Sequence, residues 1–305
     1  MRLGVLDVGS NTIHLQVVDA HPGARPSPTT NHKVELRLTD HLDAKGAINP
    51  EGIALLMQGI EDAVEHAQNF QTEEILAFAT SALREAKNGP KIIDEINSRY
   101  EIDLQMLSGD DEARLTFLAV RRWLGWSSGK LLVLDIGGGS LELATGVDEN
   151  PEAVLSLPLG AARLTREFLS GDPFTNKGLN SLESRAHELL KSKMPAKLQS
   201  HDADHFVATS KTFRTLARIA NHWYGDRAQY LEANALIGII SRLSSMSSEE
   251  RSKLPGVSIS RAGQIVSGAI VAQAVMERLS ISELEICPWA LREGVILKWL
   301  DWNER

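Results

Sequence analysis

Acidic, glycine and hydroxyl residues recur in one pattern at two places. Near the N-terminus the chain reads Val5-Leu6-Asp7-Val8-Gly9-Ser10-Asn11-Thr12. Downstream it reads Val133-Leu134-Asp135-Ile136-Gly137-Gly138-Gly139-Ser140-Leu141-Glu142. Each is an apolar run that delivers an aspartate, turns on glycine and a hydroxyl residue, and enters a second strand. Glycine admits positive φ and close approach of a ligand. Successive N–H groups in such a turn can form an anion-binding nest, to which Ser10, Thr12 and Ser140 add hydroxyl donors. Asp7 and Asp135 share the sign of phosphate and cannot grip it. Their chemistry is to hold Mg²⁺, or Mn²⁺ in its place, and through it the phosphate. Either copy alone also reads as an ordinary hairpin; the repetition favours phosphate chemistry.

The elements that position these residues repeat as well. The first half predicts strands over residues 3–8, 12–19 and 33–38, a helix opened by Pro50, and strands over 75–79 and 103–107. The second half predicts strands over 130–135, 141–146, 153–157 and 206–209, with helices after them. Two β-β-β-α-β-α-type halves predict an α/β protein of two similar domains, residues 1–126 and 127–305. The last helix, about residues 291–303, is expected to pack back on the first. Two phosphate-gripping hairpins on opposite walls of a cleft would follow.

Bulk properties bound the function. The 305 residues leave room for two cores, and 43% hydrophobic with 24% charged content is that of an ordinary globular protein. A strand begins at once, with no charged segment and apolar run before it, so no secretory leader is expected. No segment reads as membrane-spanning. The single cysteine, Cys287, excludes an internal disulfide and a cysteine-rich zinc site. A net charge of −8 argues against a general nucleic-acid binder. A cytoplasmic enzyme is the expectation.

Further motifs make the chain resemble the exopolyphosphatase/guanosine pentaphosphate phosphatase family. Besides the two loops, these are Ala79-Thr80-Ser81-Ala82-Leu83-Arg84-Glu85-Ala86-Lys87-Asn88, Leu107-Ser108-Gly109-Asp110-Asp111-Glu112-Ala113, Leu159-Gly160-Ala161-Ala162-Arg163-Leu164 and Trp289-Ala290-Leu291-Arg292-Glu293-Gly294. The resemblance runs end to end. It implies two actin-like, ribonuclease H-like domains facing a central cleft. It also implies Mg²⁺-dependent removal of the terminal phosphate of inorganic polyphosphate, or of the 5′-terminal phosphate of guanosine pentaphosphate. Glu112 would be the general base for the attacking water, and Arg84 would grip the reacting phosphate. Gly9, Ser10, Asn11, Thr12, Gly137, Gly138, Gly139, Ser140, Ser210, Lys211, Thr212 and Arg261 would bind substrate phosphates. Asp7, Asp135 and Glu142 would serve the metal. A homodimer is a further implication.

Other readings stand beside these. Acidic residues in a first helical turn favour the helix dipole, which suits Asp110 and Asp111 as cap and first-turn residues. Arg84 also reads as a surface ion pair with Glu85 or with a nearby helix. Arg163, Arg261 and Arg292 take a second rank, since each could equally pin a turn or cap a helix C-terminus. The loop His201-Asp202-Ala203-Asp204-His205 looks metal-binding but reads better as a polar turn before a strand. Of the departures from the family, two concern residues of the site. Many relatives carry an arginine where this chain has His14, leaving a cation that is missing or titrates near ~6.5. Lys211 replaces a glycine, losing backbone freedom and gaining charge. An actin-like ATP-binding protein, or a weakly catalytic sensor, is the rival from another class.

Overall fold

The computed structural model describes residues 1–303 except 22, 24, 226 and 228, and divides into two compact units. The first comprises Met1–Leu115 with Leu291–Arg305, the second Thr116–Ala290.

The first unit opens with β1 (Arg2–Val8), β2 (Thr12–Asp19) and β3 (Pro28–Glu35). Then come α1 (Pro50–Asn69), β4 (Glu74–Ala79), α2 (Ser81–Glu85), α3 (Gly89–Tyr100), β5 (Leu104–Met106) and α4 (Gly109–Leu124), whose residues from Thr116 onward belong to the second unit. The sheet order is β3-β2-β1-β4-β5. β1 pairs antiparallel with β2 and parallel with β4. Asn49 starts α1 by accepting the Gly52 N–H at 2.8 Å, and Pro50 stands in the first turn. β3 starts five residues before the sequence places it, at Pro28, and ends at Glu35. Its Thr29, Thr30, Asn31 and His32 are polar, so pairing with β2 and not an apolar pattern makes it a strand.

The second unit holds β6 (Leu131–Ile136), β7 (Leu141–Gly146), β8 (Ala153–Leu157), α5 (Ala161–Phe168), α6 (Asn176–Lys193), α7 (Ala196–Gln199) and β9 (His205–Thr209). It continues with α8 (Ser210–Tyr224), β10 (Tyr230–Glu232), α9 (Ala233–Ser245), α10 (Ser248–Ser252), α11 (Ile265–Arg278) and β11 (Glu283–Ile286). Its sheet order is β10-β11-β9-β6-β7-β8. Read from the other edge, β8-β7-β6-β9-β11 repeats β3-β2-β1-β4-β5, with β10 added. The duplicated hairpins thus sit in duplicated sheets. The last helix, α12 (Leu291–Asn303), belongs to the first unit.

Strand alternation decides what each aspartate meets. Leu6 and Val8 of β1 join the core under α1 and α3, whereas Leu3 and Val5 join Ile296 and Leu300 of α12. Asp7 shares the parity of Leu3 and Val5, so it lies on the α12 face. In β6, Leu132, Leu134 and Ile136 enter the core with α6 and α11. Asp135 has the opposite parity and lies on the other face.

Candidate active site

In the first unit, Glu112 stands in the first turn of α4. The turn is set by Ser108, whose hydroxyl accepts the Asp111 N–H at 3.1 Å and donates to the Asp111 carboxylate at 2.6 Å. Ser108 is therefore the cap, and the Asp111 carboxylate holds its hydroxyl. The Glu112 side chain is 10% exposed and receives Arg84 Nη1, which also donates to the Leu107 carbonyl at 2.7 Å. Arg84 belongs to α2, directly after β4. The two residues expected to act in catalysis meet each other, and Glu112, not Glu85, is the counter-charge of Arg84.

The first glycine hairpin is closed by Gly9 N–H donating to Thr12 O at 3.0 Å. Ser10 and Asn11 are buried. The hydroxyls of Ser10 and Ser81 are bonded at 2.9 Å, and the Asn11 carbonyl accepts from Leu36 N–H at 2.9 Å and Arg37 N–H at 3.1 Å. The hairpin is thereby tied to α2 and to the chain beyond β3. Neither Gly9 nor Gly137 uses positive φ, contrary to the expectation for such turns.

Asp7 lies directly opposite His14 across β1 and β2. Arg292, from the first turn of α12, reaches Asp7 Oδ2 at 3.4 Å and also contacts His14 Nδ1. His14 Nε2 meets Asn31 Oδ1 at 3.1 Å. An imidazole protonated on Nε2 donates to Asn31 and offers Nδ1 to Arg292. Burial, then the Arg292 charge, lowers the His14 pKa to about 4; Lys33 and His32 add to this and Asn31 opposes it. His14 is thus a neutral acceptor at neutral pH and not a titrating cation; Arg292 brings the positive charge. Burial raises the Asp7 pKa above the usual aspartate range, Arg292 opposes this, and Glu293 adds to it. Sequence reasoning left Arg292 in a second rank, because only the return of α12 to β1 reveals its partners.

In the second unit, Asp135 and Glu142 are directly opposed across β6 and β7, and Glu142 opposes Ser156 of β8. The Ser156 hydroxyl donates to Glu142 Oε1 at 2.9 Å. Among the described residues no group of three or more His, Cys, Asp or Glu converges as a metal cage. Two opposed carboxylates are the smaller set that suits a cation completed by phosphate and water. The second hairpin closes as the first does, with Gly137 N–H on Ser140 O at 2.9 Å.

Ser210, Lys211 and Thr212 form the first turn of α8. The left-handed backbone lies at Ser210, with φ of 76°, and not at Lys211. Lys211 sits in the helical turn, so a glycine's freedom is not what that position requires. Lys211 and Thr212 line one small cavity with Arg261. The loop at residues 201–205 is tied down: Asp202 pairs with Lys130 Nζ at 2.5 Å, and Asp204 accepts the Lys130 N–H at 2.8 Å.

The Ppx/GppA phosphatase family model matches residues 16–303. Exopolyphosphatase 1 of Mycobacterium tuberculosis (strain H37Rv) is 50% identical over 305 residues, covering 99% of this chain and 89% of that protein. A crystal structure of an exopolyphosphatase from Cytophaga hutchinsonii superposes with a TM-score of 0.87 at 25% identity, over 99% of this chain and 98% of that one. The Ppx/GppA family member of Aquifex aeolicus gives a TM-score of 0.80 at 25% identity, over 99% of each chain.

Proposed function

The chain belongs to the Ppx/GppA phosphatase family, and from that premise we propose that it is an exopolyphosphatase that releases the terminal phosphate of inorganic polyphosphate. The observation that carries the reading is Glu112, a largely buried carboxylate held in the first turn of α4 by a cationic partner that can also grip phosphate. A water oxygen attacks the terminal phosphorus, the P–O bond to the next phosphate breaks, and orthophosphate leaves. Glu112 accepts the water proton as the new P–O bond forms. The leaving group is a phosphate oxygen and needs no strong general acid. Arg84 shifts from Glu112 toward the reacting phosphate and offsets its charge.

In the second unit Asp135 and Glu142 are the residues that would hold Mg²⁺; Asp7 is the first unit's own candidate carboxylate for a metal. When bound, the ion supplies charge neutralisation at the phosphate oxygens. In the first unit the N–H groups and hydroxyls of residues 9–12 would be donors for phosphate; in the second unit those of residues 137–140, with Lys211, Thr212 and Arg261, would be. The reading extends to a cytoplasmic homodimer. Among the described residues no helix is long and apolar enough to cross a membrane.

One assay tests this reading. Purified protein is incubated with polyphosphates of several lengths and with guanosine pentaphosphate, with and without Mg²⁺, and orthophosphate is quantified. Mg²⁺-dependent release with the higher kcat/KM on polyphosphate is expected. A higher kcat/KM on guanosine pentaphosphate would replace the polyphosphate reading with a 5′-phosphohydrolase. ATP binding without release from either substrate would sink both.

A further inference from the structure

The second glycine hairpin is held in shape by the N-terminal turn of α5. Ala161 N–H donates to Gly137 O at 3.0 Å, Ala162 N–H to Gly138 O at 2.9 Å, and Arg163 N–H to the same oxygen at 3.1 Å. These are helix-opening donors that have no partner within their own helix. Gly160, which precedes them, contributes no side-chain cap. The Arg163 side chain completes the set, with Nε–H on Gly139 O at 2.8 Å. A Cβ on Gly160 would lie 2.2 Å from Gly139 C and 2.3 Å from Ser140 N, so only glycine permits this approach.

Three successive carbonyls therefore point at α5. In a planar trans peptide the C=O and the following N–H point in opposite directions. The N–H groups of Gly138, Gly139 and Ser140 consequently point away from α5 together, as an anion nest requires. The contact to Gly139 is the one made by a side chain. The guanidinium also has Glu167 Oε1 at 3.7 Å from Nη1, so its charge is partly offset within α5.

We propose that Arg163 is a positioning residue: through Nε–H on Gly139 O it fixes the hairpin N–H groups for a substrate phosphate, acting by donor position and not by charge. This rests on the polyphosphate reading above for its substrate, but the hold on the hairpin stands apart from it.

Side-chain geometry supplies the test. Glutamine places an amide Nε2 where arginine has Nε; methionine places a methyl carbon there. Polyphosphate kinetics and amide hydrogen exchange of residues 137–140 are measured for wild type, Arg163→Gln and Arg163→Met, with Tm as the check on folding. Arg163→Gln is expected within about threefold of wild-type kcat/KM, and Arg163→Met about tenfold lower, mainly through KM. Exchange over 137–140 should quicken in Arg163→Met alone. Equal losses in both variants would show that charge acts, and overturn the proposal. So would an Arg163→Met protein with wild-type KM and exchange. If Arg163→Met does not fold, Arg163→Lys replaces it, keeping charge with carbon at the Nε position; Lys outperforming Gln overturns the proposal. The exchange readout needs no substrate. A wild type that releases nothing from polyphosphate would remove the substrate reading, while exchange still decides whether Arg163 holds the hairpin.

Discussion

Arg84 Nη1 is shared between the Glu112 carboxylate and the Leu107 carbonyl, locking residues 28 positions apart into one charge pair. A base held this way acts as a unit with its partner. Glu112→Gln should lower kcat for orthophosphate release by about 10²–10⁴-fold. Arg84→Ala should also lower kcat, and the double variant should be no worse than Glu112→Gln within about threefold, as groups acting together are not additive. Losses that multiply in the double variant would sink the coupling. Stability gives a second reading. Arg84→Ala deprives a largely buried carboxylate of this counter-charge, so it should be less stable than Arg84→Ala/Glu112→Gln by about 1–3 kcal/mol in urea unfolding.

The depressed His14 pKa has a defined pH consequence. In the folded state the ring stays neutral down to about 4, whereas unfolded His14 protonates near ~6.5. Between those values the unfolded state binds the extra proton. The associated stability is therefore fully present above about 6.5 and is lost as pH falls toward 4. Since the ring retains some exposure, the loss between pH 7 and pH 4.5 should be about 1–2 kcal/mol. Wild type and His14→Asn are compared by urea unfolding at both values, so that other titrating groups cancel. Wild type should lose more than the variant. Equal losses would show that His14 is not held neutral, and the Arg292 contact would then need another explanation.

Much of this arrangement was legible in the chain. The repeated Asp-x-Gly pattern located two hairpins, and their sheets repeat the same strand order. Apolar runs reported β1 and β6 because both faces of those strands are buried. β3 was displaced in the reading because its polar residues carry no such signal. Glu112 and Arg84 were each named, yet their contact was not, since the local alternative of Glu85 is closer in sequence. Arg292 was harder still: its contact with Asp7 spans 285 residues and depends on α12 rejoining the first unit. The residue needing glycine-like backbone was placed one position late, since only the φ angle distinguishes Ser210 from Lys211.

Ser210 offers a test of stored strain. Its φ of 76° puts a residue with Cβ in the left-handed region at the first position of α8. Ser210→Gly should relieve about 1 kcal/mol and raise Tm, partly offset by the entropy that glycine adds to the unfolded chain. Ser210→Val, with a branched side chain at the same φ, should destabilise by more than that. If the serine hydroxyl also binds phosphate, Ser210→Gly gains stability while its KM for polyphosphate rises. A glycine variant that melts below wild type would mean that the left-handed backbone is not where the strain lies.

Asp135 and Glu142 set a trade between stability and metal binding. Like charges directly opposite across antiparallel strands destabilise a sheet by about 0.2–1 kcal/mol, and these two face each other in register. In chelator-treated protein, Asp135→Asn should therefore be at least as stable as wild type. Added Mg²⁺ should raise the wild-type Tm, because a ligand that binds only the folded state stabilises it. The variant should show little of this rise, and its Mg²⁺ requirement for orthophosphate release should climb about 10-fold or more. Glu142→Gln should behave likewise, while Ser156→Ala, which removes only the hydroxyl on Glu142 Oε1, should shift the requirement less. Thermal melts at zero and saturating Mg²⁺ separate the outcomes. A Mg²⁺-induced rise in Asp135→Asn equal to that of wild type would place the ion elsewhere and remove both carboxylates from the metal role.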